Sequence, residues 1–258
     1  HPTLVNGLTC GLDGQRIVEE LFGKRVEWVS SINPGYVLSK YILDTVARRG
    51  VTADVPAPYI FLQNHGLTVA AEDPAEIHRI HHEIVTALLA RIQRVPDMRI
   101  FDVDLANADR LRRLIVDEFV AHTGTTPTVL FEAVGEAVTR AENENTVTPL
   151  LRPFSPDHIV YAGPRPLYVV DETEFGAQFR GYAAEGAPPK IVLVRGLGFF
   201  AVGTSLKAAD TARMLFRDAL KIAAYAENFG GPRGMDDDQI EFIRGWEVER
   251  FRAEVSLE

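Results

Sequence analysis

Four of the seven histidines fall within YIFLQNHGLTVAAEDPAEIHRIHHEIV, residues 59 to 85. An imidazole can bind a metal, carry a proton or simply fill a turn, and its surroundings decide which. His65 stands in Gln63-Asn64-His65-Gly66, a polar linker ending in glycine between apolar runs at 59–62 and 67–71. That pattern reads as a β-hairpin or a sharp strand bend with His65 at its tip, its ring free to face a cleft. On this pattern alone a chemical and a structural role for His65 stay equally open. The other three, His78, His81 and His82, lie beyond Glu72-Asp73-Pro74-Ala75-Glu76. Asp73 is a natural N-cap and Pro74 suits the first helical position, with Glu76 three residues after the cap. Ile77, Ile80, Ile84, Leu88 and Ile92 then form an apolar stripe at helical spacing. His78 and His82 share one helix face, but Arg79 stands where a zinc-protease motif needs glutamate. We expect these three to lie on a solvated or partner-facing side of the helix and to bind no catalytic metal.

The elements around these residues alternate between strand and helix. Residues 4–10 read as a helix or a buried strand, 15–22 as a short helix, 26–29 as a strand, and 36–49 as a helix ended by Gly50. Helices are expected at 104–121, 128–142, 205–228 and 236–253, with ENENTVTPLLRPFSPDH as a polar connector. The 258 residues are 46% hydrophobic, enough for a sizeable core. No run is long and apolar enough to span a bilayer, so no membrane is expected as a partner. The net charge of −9, without a basic cluster, argues against nucleic acid and leaves room for a small metabolite. A single cysteine, Cys10, fits a reducing cytoplasm, which is the expected location. A chain opening at His1 without methionine reads as a piece of a longer protein.

An internal echo raises the interest of His65. IFLQNHGLTVAAEDPAEI lies over VLVRGLGFFAVGTSLKAA without a gap, so Gly66 matches Gly198, Asp73 matches Ser205, and His65 matches Leu197. The helix before the first segment has its counterpart in DETEFGAQFRGYAAEG. Two copies of helix–strand–turn–strand–helix suggest duplication. If the second copy builds the turn with leucine, the first does not need histidine to build it. That favours a functional His65.

With these residues in view, LQNHGLTV followed by a capped helix and preceded by PGYVLSKYILDTVARRG resembles the second half of the class II aldolase/adducin family. Beyond it, DHIVYAGPRPLYV, PKIVLVRGLGFFAVG, DALKIAAYAENFGG and FIRGWEVERFRAEVS resemble the aldolase part of bifunctional rhamnulose-1-phosphate aldolase/short-chain dehydrogenase proteins. The resemblance implies an α/β fold, a layered αβα sandwich with a mainly antiparallel central sheet and a degenerate second repeat. It divides the chain into an aldolase-like part (1–96), a helical connector (97–150) and the degenerate half (151–256). In the family, two histidines lie as H-x-H on one hairpin and a third follows some sixty residues later. On that pattern His1 resembles the second metal ligand and His65 the third, with the first expected upstream. The cofactor implied is Zn2+ or another divalent metal, with Asn64 or a nearby carbonyl orienting one ring. No cofactor-binding residues beyond these are expected.

The activity implied is retro-aldol cleavage of a deoxyketose 1-phosphate, such as rhamnulose 1-phosphate, to dihydroxyacetone phosphate and lactaldehyde. The general base would also lie upstream; Glu19 and Glu20 do not align with the family's second glutamate and read as ordinary helix surface. The resemblance further implies a homo-oligomer and a covalently linked dehydrogenase domain. RGLGF is not a dinucleotide fingerprint, since it is not GxGxxG and opens no helix. Two other readings stay open: a non-catalytic adducin-like interaction domain, and a sugar-phosphate epimerase or decarboxylase on the same fold.

Overall fold

Val26–Val29, Tyr59–Leu62 and Gly66–Thr68 are apolar runs too short for helices, and they pair as a three-stranded sheet, β1 to β3. The computed structural model describes residues 1–30, 32–52, 57–248 and 251, and these fold as two units. The first comprises residues 1–95 and 221–233, the second 96–220 and the rest.

In the first unit, α1 (Thr3–Thr9) and α2 (Gly14–Phe22) precede β1, and α3 (Tyr36–Arg48) joins β1 to β2. β1 and β2 run parallel, from Val26 opposite Tyr59 to Val29 opposite Leu62. A parallel pair needs such a crossover, and α3 supplies it. β2 and β3 then close an antiparallel hairpin with Leu62 opposite Gly66. All four β2 residues are buried. Tyr59 and Phe61 pack with α1, α2 and α4 (Pro74–Leu89), while Ile60 and Leu62 pack against α3. Side chains alternate across a strand, so helices on both faces leave no position for a polar residue. Asp73 caps α4 as expected, its carboxylate accepting from the Ala75 N–H at 2.7 Å. Arg25 ties α4 to the sheet: it pairs with Glu83 at 2.8 Å and lies over the Tyr59 ring. The Arg25 hydrogen bond holds the Glu83 carboxyl below the ordinary carboxylate range.

Residues 221–233 return to this unit from far along the chain. Asn228 accepts from the N–H groups of Gln93 and Arg94 at 2.8 and 2.9 Å. The Arg233 N–H donates to the Cys10 carbonyl at 2.7 Å. Gly7 allows close approach here, since a Cβ at that position would lie 2.4 Å from the Tyr225 Cβ.

The second unit holds α5 (Leu105–Thr123), β4 (Thr128–Glu132), α6 (Gly135–Arg140), α7 (Glu144–Val147), α8 (Pro156–Ala162), β5 (Leu167–Val169), α9 (Phe175–Ala183), β6 (Ile191–Val194) and β7 (Gly198–Gly203). α10 (Leu206–Ala226) and α11 (Asp237–Gly245) complete the order. Its sheet runs β4-β7-β6-β5. β5 and β6 are parallel, and the other two pairs antiparallel. Ala108, Leu111, Ile115 and Phe119 of α5 and Phe175 and Phe179 of α9 cover one face with Val192, Val194, Phe200 and Val202. Phe199 meets Phe216 of α10, ring centroids 4.8 Å apart.

Several expectations are corrected. Residues 128–132, read as the start of a helix, form β4; their Thr-Val-Leu-Phe run pairs with β7, distant in sequence. Residues 97–150 hold α5, α6 and α7 and also β4, which forms an edge of the second sheet. The connector at 142–158 is not simply polar: Leu150, Phe154 and Ser155 are buried, and Ser155 Oγ bonds His158 Nδ1 at 2.7 Å. In place of one mainly antiparallel central sheet, the described residues form two mixed sheets, each with a parallel pair made by a helical crossover. Residues 249, 250 and 252–258, where the helix expected over 236–253 and the half ending at 256 finish, lie outside the described residues.

The echoed segments share order and strand sense. Each has a strand, a helix, a parallel strand, an antiparallel hairpin and a capped helix. The hairpins close at corresponding residues, Leu62 opposite Gly66 and Val194 opposite Gly198.

Candidate metal centre

The hairpin turn positions His65 through its backbone. Asn64 adopts the left-handed conformation, φ 54°, the only non-glycine residue to do so among those described. Asparagine tolerates that region better than most side chains. Its backbone N–H donates to the Thr9 carbonyl at 3.1 Å, and its side-chain amide donates to the Arg233 carbonyl at 2.8 Å. The His65 N–H donates to the Leu62 carbonyl at 3.1 Å. Asn64 is buried while His65 is half-buried, so the turn is anchored through one residue and presents the next.

His1 precedes α1, which packs beside β3. The two imidazoles meet: ring centroids are 5.0 Å apart, with planes at 73°. Two imidazoles bound tetrahedrally to one zinc at about 2.0–2.1 Å would have centroids roughly 5 Å apart. The spacing is that of an edge-to-face ring contact and also the one a shared ion would need, and two imidazole nitrogens are donors that suit zinc. Gly66 is part of this fit. A Cβ there would lie 3.1 Å from Cδ2 of His1 and 3.6 Å from Oδ1 of buried Asn6. With φ at 154°, the position is also one that other residues rarely adopt. Glycine thus makes the room in which the His1 ring sits.

The three histidines of α4 are placed elsewhere on the unit. His78 and His82 are exposed on α4 and His81 is half-buried. Among the described residues no group of three or more histidine, cysteine, aspartate or glutamate side chains could hold a metal. Glu20 pairs with Arg91, whose hydrogen bond keeps its carboxyl below the usual range, and Glu19 accepts from Gln15. Both are ordinary helix surface. Leu197, the counterpart of His65, is 3% exposed within the second unit's core. Asn64, expected near the ligands, has its amide on Arg233 and acts on the turn. Asn6 and Arg233 were not singled out from sequence. Gly66 carried a signal, as glycine closing a turn; Arg233 acts through its carbonyl and carried none.

No family model matches the chain. A Bacillus subtilis (strain 168) protein described as the uncharacterized oxidoreductase YuxG is 22% identical, over 98% of this chain and 41% of that protein. The chain spans about two fifths of the length of that relative. A solved structure of an aldolase II superfamily protein from Pseudomonas syringae matches 55% of this chain and 59% of that one, at 12% identity and a TM-score of 0.36.

Proposed function

We propose that this chain carries part of the metal centre of a class II aldolase-like enzyme acting on a deoxyketose 1-phosphate such as rhamnulose 1-phosphate. The observation behind this reading is the meeting of His1 and His65, whose rings come from distant parts of the sequence to one place. In the reaction the C4 hydroxyl loses its proton, the C3–C4 bond breaks, and the bonding pair passes into an enediolate that is reprotonated at C3. Dihydroxyacetone phosphate and lactaldehyde result. A divalent metal, when bound, supplies the Lewis acidity that stabilises the enediolate charge. His1 and His65 would hold it, Gly66 keeps the space clear, and Asn64 fixes the turn. The general base is assigned to no residue of this chain and belongs, with the first histidine ligand, to an upstream segment.

The oxidoreductase description of the relative fits a two-part protein. Gly196 and Gly198 lie at the β6–β7 hairpin, not where a strand opens a helix, so RGLGF cradles no dinucleotide. We assign any dehydrogenase activity to a linked domain outside the matched portion. A cytoplasmic homo-oligomer completes the proposal.

The test is made on the full-length protein. Zinc content and cleavage of rhamnulose 1-phosphate are measured for wild type and for His65→Ala. The variant is expected to lose both, with an unchanged melting temperature. Full activity in His65→Ala, or wild-type protein that takes up no divalent metal, would end this reading. Metal uptake with epimerase or decarboxylase activity instead would move it to another reaction on the same site.

A further inference from the structure

The second unit contains a cleft of about 700 Å3 between α8, the segment following α9, and α11. That volume suits a metabolite-sized ligand. Its apolar walls include Ile159, Pro188, Ile240 and Ile243. Three arginines stand around it, each already neutralised. Arg152 pairs with Asp237 at 2.6 Å, Arg165 grips Glu185 through two bonds of 2.8 Å, and Arg244 pairs with Glu241 at 2.7 Å. Arg165 also lies over the Tyr182 ring, 4.9 Å from its centroid, and the Tyr182 hydroxyl donates to the Arg165 carbonyl.

Lys190 differs from these three. Half-buried in the same cleft, its ammonium donates to the Val160 carbonyl at 2.7 Å, and among the described residues no carboxylate pairs with it. An ammonium has three donors, so one carbonyl leaves it under-satisfied. Burial pulls the Lys190 amine below the ordinary lysine range, as expected for a charge that lacks a counter-ion. Three closed ion pairs and one open cation give the cleft a net positive charge within a chain of net charge −9.

We propose that this cleft is a binding site for a small organic anion with an apolar body, a carboxylate or phosphate monoester whose charged group meets Lys190. The anion supplies the missing counter-charge, and the hydrocarbon portion covers the apolar walls. The site belongs to the unit whose hairpin carries Leu197 in place of histidine, and it does not depend on the aldolase reading.

Pyridoxal 5′-phosphate is a suitable probe, having a phosphate, an aromatic ring and an aldehyde. Its carbonyl condenses with an unprotonated lysine amine, forming an imine and releasing water, and borohydride then delivers hydride to the imine carbon. The full-length protein is treated briefly, reduced and mapped by mass spectrometry. Lys190 should be marked first among the chain's five lysines, with saturation. Phenyl phosphate and benzoate distinguish the two anion sources; one or both should slow the marking by roughly tenfold, the loss expected for a charge-assisted contact. Inorganic phosphate and phenol should protect far less. In Lys190→Met the fast phase should vanish. Marking of Lys190 no faster than exposed Lys40, or equal protection by phenol, would overturn the proposal. The wild-type measurement decides it even if the variant fails to fold.

Discussion

At the scale of single residues, the turn around His65 divides its work among neighbours. Asn64 holds a left-handed backbone and reaches the Arg233 carbonyl, Gly66 leaves space for His1, and half-buried His65 meets the His1 ring. Gly66→Ala should therefore weaken zinc binding although it removes no ligand, because its Cβ displaces the His1 ring. It should also cost about 1–3 kcal/mol of stability from its strained backbone, measured by denaturant unfolding beside zinc titration. Asn64→Ala should destabilise more than Asn64→Gly, since both lose the amide bond but only alanine adds roughly 1–2 kcal/mol of left-handed strain. Equal losses would show that the backbone conformation carries little of the cost. Lys190 makes a prediction in pH. Its amine titrates lower in the folded chain than in the unfolded one, so between its folded pKa and its ordinary value near 10.5 the unfolded state binds more protons. Stability attributable to Lys190 thus rises with pH across that window. Wild type should gain on Lys190→Met as pH climbs from neutral toward 10.5, read as the difference between two unfolding curves.

At the scale of elements, the two hairpins use one backbone plan for opposite purposes. In the first, the position before the glycine is half-buried His65; in the second it is core Leu197. Leu197→Ala should cost about 2–5 kcal/mol, as buried leucine truncations do, whereas His65→Ala should leave thermal unfolding nearly unchanged. Similar losses at both would mean that the two turns are held alike. The hairpins and their capped helices were legible because their signals are local: glycine at the turn, Asp73 and Ser205 at the caps, apolar stripes behind. β4 was not. Thr128 to Glu132 becomes a strand by pairing with β7, and an apolar run without its partner reads equally well as a helix. Lys190 was illegible for the same reason, since its cleft is assembled from three separated stretches of chain.

At the scale of the whole molecule, acidic composition and the shortage of lysine remain the plainest guides, with 27 basic against 36 acidic residues. This chain should show no salt-dependent retention on immobilised DNA, which a basic face would produce. The histidine pair was legible only through resemblance, because nothing in composition brings His1 to His65. What brings them together is the sheet, with α1 beside β3. The first unit is also interrupted: it closes only when residues 221–233 come back to it, and the turn bearing His65 rests on the carbonyl of Arg233. During synthesis both histidines leave the ribosome before residues 221–233, and the last peg for their turn emerges well over a hundred residues after His65. A nascent chain stalled before Arg233 holds the imidazoles without the clamp. On the proposed function, a fixed pair of imidazoles would exist only once Arg233 has been made.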